Sequence, residues 1–205
     1  MIILWTAASF LCGSFMFSYW LGLVLRHNLR AEGDGNPGAA NLWRAAGHWY
    51  GLAGIFLDFL KGYLPLALLV NTGTVTGYGL IAVAAAPILG HAFSPFLGWR
   101  GGKAIAVTFG VWSGLTHFSA SLALAVILAV LQVVFRLFLR GKPLTVQLDA
   151  FMVVLGMLLL SGYVFWADYG PEIQWFWLCS SLLLVLTHRR ELLVMVRGTP
   201  TGLGG

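Results

Sequence analysis

Apolar residues gather into long runs, and short polar connectors separate them. The runs cover residues 2–25, 49–70, 79–97, 104–139, 144–166 and 173–187. A stretch of about 20 apolar residues is long enough to cross a hydrocarbon core as a helix. The run at 104–139 is too long for one crossing, and it holds Gly110, Gly114 and His117. It divides into a short helix near 103–116 and a full span near 118–138. The pattern therefore predicts an all-α bundle of about seven membrane-spanning helices. No charged segment precedes the first run and no cleavage site follows it, so it reads as a span rather than a signal peptide.

The connectors alternate in charge. One set carries Arg26, Arg30 and Arg44, then Arg100 and Lys103, then Arg136, Arg140 and Lys142, then Arg189, Arg190 and Arg197. The connectors at 71–78, 113–116 and 168–172 have neither Lys nor Arg. Eleven of the 12 basic residues thus fall on one side, Lys61 being the exception. The positive-inside rule places that side in the cytoplasm. The N-terminus is then outside and the C-terminus inside, which requires an odd number of crossings and supports dividing 104–139.

Composition agrees. Only 9% of the residues are charged and 59% are hydrophobic, where soluble domains carry about 25% charged residues. A soluble domain, a disordered chain and a basic nucleic-acid module are excluded, so no nucleic-acid partner is expected. Cys12 and Cys179 lie inside apolar runs and read as small hydrophobes. No His, Cys, Asp or Glu cluster has metal-ligand spacing, and GxSxG is absent. Neither a metal, nor a cofactor, nor an enzyme nucleophile is expected.

Three segments stand out against the apolar background. The loop from Arg30 to Asn41 holds Gly33, Asp34, Gly35, Asn36 and Gly38, and Arg44 follows. Glycines there free the backbone to take positive φ and to turn N–H groups toward an anion, and Asn41 is placed to cap the next helix. The plain alternative is a flexible connector. The second segment is Asp58-Phe-Leu-Lys61-Gly62. Asp58 and Lys61 share one helix face and can pair toward the bundle interior, as a functional pair or as a tie between helices. The third is Gly90-His91 followed by Gly98-Trp-Arg100-Gly101-Gly102-Lys103, where free backbone N–H groups and an ammonium would suit phosphate. His91 is either a base or a structural histidine. His188, Arg189, Arg190 and Glu191 end the last span, with topology-setting charge as their plain reading. The Gly-rich tail at 198–205 is expected to be disordered.

In order and spacing these segments resemble the bacterial acyl-phosphate:glycerol-3-phosphate acyltransferase family. The family's loop of Gly-Ser-Gly-Asn-x-Gly-Ala-Thr-Asn-x-x-Arg stands here as Gly33-Asp34-Gly35-Asn36-Pro37-Gly38-Ala39-Ala40-Asn41-Leu42-Trp43-Arg44. Its Asp-x-x-Lys-Gly is intact at 58–62, and its Gly-His…Gly-Gly-Lys-Gly appears as Gly90-His91…Gly101-Gly102-Lys103-Ala104. Asp34, Ala40, Ala104, Val107 and Glu191 depart from the family pattern. The resemblance implies a single transmembrane domain over 1–197 in a bacterial inner membrane, with the active site facing the cytoplasm. It implies transfer of a fatty acyl group from acyl phosphate to the 1-hydroxyl of glycerol 3-phosphate, with membrane lipid as surroundings. Lys103, Arg44, His91 and His188 would serve catalysis. Gly33, Asp34, Gly35, Asn36, Gly38, Asn41, Asp58, Lys61, Arg100, Gly101, Gly102 and Glu191 would bind substrate. Two rival readings are a catalytically silent paralogue acting as a membrane scaffold and a transporter of a phosphorylated solute.

Overall fold

The computed structural model describes residues 1–197; the tail at 198–205 lies outside the described residues. The described residues form α-helices and two short 3-10 turns. In chain order the helices are α1 (Ile2–Ser14), α2 (Phe17–Val24), α3 (Ala39–Ala46), α4 (His48–Asn71), α5 (Gly79–Ala92), α6 (Ile105–Thr116), α7 (Ser119–Phe138), α8 (Val146–Trp166) and α9 (Pro171–Arg197).

Among the described residues, five segments are long and apolar enough to cross a membrane: Ile2–Val24, His48–Asn71, Gly79–Leu97, Ser119–Phe138 and Val146–Trp166. The 104–139 run divides as its length demanded. Helix α6 has 12 residues, about 18 Å of rise, well short of a hydrocarbon core of about 30 Å. The break falls at His117 and Phe118, both at positive φ (46° and 68°). Helix α9 continues beyond the expected 173–187 and carries His188 and Glu191 on its last turns.

The first run differs from expectation. Instead of one helix it is α1 and α2, separated at Phe15, whose backbone is extended. Gly13 and Ser14 directly precede the break, and the Ser14 hydroxyl donates back to Phe10 O at 2.7 Å, a combination that bends helices. Donors from elsewhere in the bundle satisfy the carbonyls it frees: the hydroxyl of Ser94, in the loop after α5, donates to Ser14 O at 2.7 Å, and the Lys61 ammonium of α4 donates to Phe15 O. Within a membrane such partners are what make a helix break tolerable.

Glycines set the two closest helix contacts. Where α4 crosses α6, a Cβ on Gly110 would lie 2.0 Å from Phe59 O, and one on Gly62 would lie 2.4 Å from Val107 O. Where α1 crosses α5, a Cβ on Gly13 would lie 2.2 Å from Pro87 O, and one on Gly90 would lie 2.2 Å from Phe10 O. Small residues let backbones approach in a medium where the hydrophobic effect does not hold helices together. The core between α6, α8 and α9 is filled by Trp112 and Phe176, with ring centroids 5.0 Å apart, and by Leu160 and Leu184. On α7, exposed Leu122, Val126, Val130, Val133 and Leu137 form one stripe, as a lipid-facing surface requires.

Candidate active site

The loop before α3, the end of α5 with its following loop, and the last turns of α9 meet at one end of the bundle. The loop is shaped by its own side chains. Gly33 and Gly35 take φ of 52° and 73°, a region that favours glycine. A Cβ on Gly33 would also lie 2.5 Å from Asn41 Oδ1 and 2.8 Å from Arg44 Nη1. Asn41 is not the expected cap. Gly38 precedes α3 in extended backbone with no side-chain cap, and Asn41 lies within the helix. Its amide points back and donates at 2.9 Å to Glu32 O, Asp34 Oδ1 and Asn36 O. Asn41 Oδ1 accepts from Arg44 Nη1 at 3.3 Å.

Lys103 is the centre of charge. Its ammonium lies 2.6 Å from Asp34 Oδ2 and 2.9 Å from Glu191 Oε1. Arg44, Asn41, Asp34, Lys103 and Glu191 therefore form one connected polar chain. Burial works against ionising Asp34, but the Lys103 ammonium and donors from Asn36 and Asn41 overcome it and hold the carboxyl below its usual range. Burial likewise opposes the charge on Lys103, and the Asp34 and Glu191 carboxylates outweigh it, so its pKa is raised.

The Gly101-Gly102 pair differs from expectation. Its N–H groups are not free: Gly101 N donates to Ala92 O at 3.0 Å and Gly102 N to His91 O at 3.1 Å. They satisfy the last carbonyls of α5, which a helix end leaves without partners. Space explains why both are glycine. A Cβ on Gly101 would lie 1.8 Å from His91 O, and one on Gly102 would lie 2.4 Å from His91 Nε2.

Other candidates separate into those that reach a cavity and those that do not. A polar cavity of about 630 Å³ is lined by Asp34, Gly35, Asn36, Arg100, Gly101, Gly102, Lys103 and Glu191, together with Arg30, Thr187, Arg189 and Arg190. An apolar cavity of about 680 Å³ is lined by Asn36, Gly38, Arg44, Asp58, His91 and Lys103, with Ala104, Ile105, Phe59 and Phe109 among its apolar walls. Asn36 and Lys103 line both. Lys61 lines neither. It is 3% exposed, pairs with Asp58 Oδ1 at 2.8 Å and holds Phe15 O. Ser18 Oγ donates to Asp58 Oδ2 at 2.7 Å, so this pair ties α4 to the broken first run. His188 also lines neither cavity; its Nδ1 faces Leu184 O at 2.8 Å. Beside it, the Thr187 hydroxyl donates to Lys103 O at 3.1 Å. Arg30 and Thr187 were not singled out from sequence. Arg30 Nη2 donates to Leu97 O at 2.9 Å and Arg100 O at 3.0 Å, joining two loops in a way no local signal marks.

A family model described as glycerol-3-phosphate acyltransferase matches residues 3–198. The chain belongs to that family. Glycerol-3-phosphate acyltransferase 1 of Thermotoga maritima is 40% identical over 194 residues, covering 92% of this chain and 95% of that one. The glycerol-3-phosphate acyltransferase of Aquifex aeolicus is 32% identical, covering 74% of this chain and 86% of that one. The crystal structure of PlsY (YgiH), an integral membrane glycerol 3-phosphate acyltransferase in its glycerol 3-phosphate form, superposes with a TM-score of 0.82 at 25% identity. That match covers 99% of this chain and 96% of the solved one. Its lysophosphatidic acid form gives 0.81. The chain is thus an integral, multi-pass membrane protein of the glycerol-3-phosphate acyltransferase family.

Within the glycerol-3-phosphate acyltransferase pattern, the departures have distinct surroundings. Asp34 is bonded to Lys103. Ala40 lines the apolar cavity. Ala104 holds φ of 63°, a left-handed position where glycine is unstrained. Val107 is buried against Gly62.

Proposed function

We propose that this chain is a membrane acyltransferase that moves a fatty acyl group from acyl phosphate to the 1-hydroxyl of sn-glycerol 3-phosphate. The product is lysophosphatidic acid, which feeds phospholipid synthesis. The observation that carries this reading is the pair of cavities sharing Asn36 and Lys103. One cavity is polar and bordered by Arg30, Arg100, Arg189 and Arg190, a set suited to the phosphate of a small soluble acceptor. The other is apolar with Arg44 and Lys103 at its polar end, a set suited to a fatty chain ending in an acyl phosphate. The reacting groups then meet beside Lys103.

The donor is already activated, so the site supplies position and charge. The acceptor oxygen attacks the acyl carbon, the bond from that carbon to the phosphate oxygen breaks, and phosphate leaves with the electron pair. Lys103 and Arg44 stabilise the charge gathering on it. The hydroxyl proton passes to the departing phosphate or to His91, which faces the same cavity and whose Nδ1 has no partner. His188 acts as a positioning residue through Thr187 and the Lys103 backbone. The distribution of basic connectors supports a bacterial inner-membrane protein with this site facing the cytoplasm and about seven crossings.

The test is formation of lysophosphatidic acid by the purified protein from palmitoyl phosphate and labelled glycerol 3-phosphate. Turnover supports the reading. Binding of both compounds without turnover identifies a silent paralogue, and uptake of labelled glycerol 3-phosphate into proteoliposomes identifies a transporter.

A further inference from the structure

A third cavity, about 370 Å³, opens between α7 and α8. Phe109 lines it, and Phe109 also lines the apolar cavity beside Lys103. A void of about 10 Å³ bounded by Ile105, Leu128 and Val153 touches the same ring. Helix bundles are packed with few voids. Phe109, a partly buried aromatic residue, lines all three spaces. Phe109 is the one residue that the apolar cavity and the α7–α8 cavity have in common.

We propose that Phe109 is a specificity-determining residue for the acyl donor. It sets the length of chain that fits, and longer chains pass the ring into the α7–α8 cavity. This rests on the reading that the donor's chain lies in the apolar cavity. The direction fits the chemistry. Ala104, Ile105 and Phe109 lead away from Lys103 along α6, so a chain anchored at Lys103 points its tail at this ring. Beyond the ring stand Ala125, Leu128, Met152 and Val153, all apolar. The polar lining, Gln132 and Asp149, lies nearer the end where α7 finishes and α8 starts, off the tail's course. Lipid solvates a methylene group about as well as protein does. Length is therefore selected where the ring stands in the tail's path, since a tail that reaches it displaces the side chains packed there.

The test measures kcat/KM for lauroyl, palmitoyl and arachidoyl phosphate with the full chain in nanodiscs. The ratio for arachidoyl over lauroyl phosphate is expected to rise about tenfold in Phe109→Ala and to fall about tenfold in Ala129→Phe, which fills the α7–α8 cavity. Ratios equal to wild type in both folded variants overturn the proposal. A wild-type chain that turns over none of the three donors refutes the enzyme reading instead. The chain's path is then decided by an alkyl phosphonate carrying a photoreactive diazirine at its tail. Label on Leu128 or Val153 supports the proposal, and label confined to α4 and α6, or absent, overturns it.

Discussion

The ammonium of Lys103 and the carboxylate of Asp34 meet at 2.6 Å across 69 residues of chain. A second carboxylate, Glu191, lies 2.9 Å from the same ammonium. The cation at the junction of the two cavities is thus already engaged by anions of the protein, and under the proposed function a phosphate arriving there would share it or displace them.

Removing this cation takes from Asp34 and Glu191 the one ammonium they share, and leaves Asp34 with its donors from Asn36 and Asn41. Lys103→Ala is expected to lower kcat by about 100-fold or more, the usual effect of deleting one charge-stabilising donor. Arg44→Ala should act in the same direction. Thermal unfolding of the purified variants checks that the fold persists, and the labelled glycerol 3-phosphate assay reads the loss.

Substituting Asp34→Ser takes one carboxylate off Lys103 and leaves a hydroxyl able to accept from Asn41 or from the Asn36 N–H. Activity is expected to hold or rise, with a lower KM for glycerol 3-phosphate. Steady-state kinetics test this, and a large fall in kcat would give Asp34 a role of its own.

The pair also predicts a pH dependence. Asp34 has a lowered pKa, so its stabilising contribution is complete above about pH 4 and is lost as pH falls through its folded value. Lys103 has a raised pKa, so its contribution is complete below about pH 10.5 and is lost as pH rises through its folded value. Asp34→Asn should therefore melt below wild type by a constant margin through neutral pH, and that margin should shrink as pH drops below about 4. Melting curves of both proteins across this range test the shape.

Close packing of α4 on α6 gives a third kind of prediction. Gly110→Ala places a methyl 2.0 Å from Phe59 O, which is backbone and cannot rotate aside. Overpacking of this kind costs about 1–3 kcal/mol. A lower melting temperature, together with weakened activity as Lys103 shifts at the start of α6, is the expected outcome.

Lys61→Met strips the partner from an Asp58 that is 2% exposed and also removes the donor to Phe15 O. Breaking one side of a buried pair costs about 3–5 kcal/mol. The double variant Asp58→Asn with Lys61→Met should recover part of that loss, because no unpaired charge stays buried. Melting temperatures of the single and double variants read the structural tie, and loss of acyl transfer in a double variant that has recovered its stability would show a direct role.

Much of this was legible in the sequence because lipid imposes strict rules on pattern. Apolar length marked the long helices, and the excess length at 104–139 forced a break that the structure places at His117 and Phe118. Glycines and cations in the connectors marked the segments that converge around Lys103. The rest depended on long-range partners. The break at Phe15 is stabilised from a distance, since its carbonyl is satisfied by Lys61, 46 residues away. The capping role expected of Asn41 failed because its amide found three acceptors in the preceding loop. The N–H groups of the Gly-Gly pair, expected to be free for a ligand, instead bond the end of α5, while both glycines line the polar cavity.

Asn36 and Lys103 belong to two enclosures of opposite solvency. A compound dissolved in water and another dissolved in fat can each come to this boundary from its own phase, and neither has to enter the other's. The joined molecule inherits a head from one phase and a tail from the other, so it is born already oriented as a lipid.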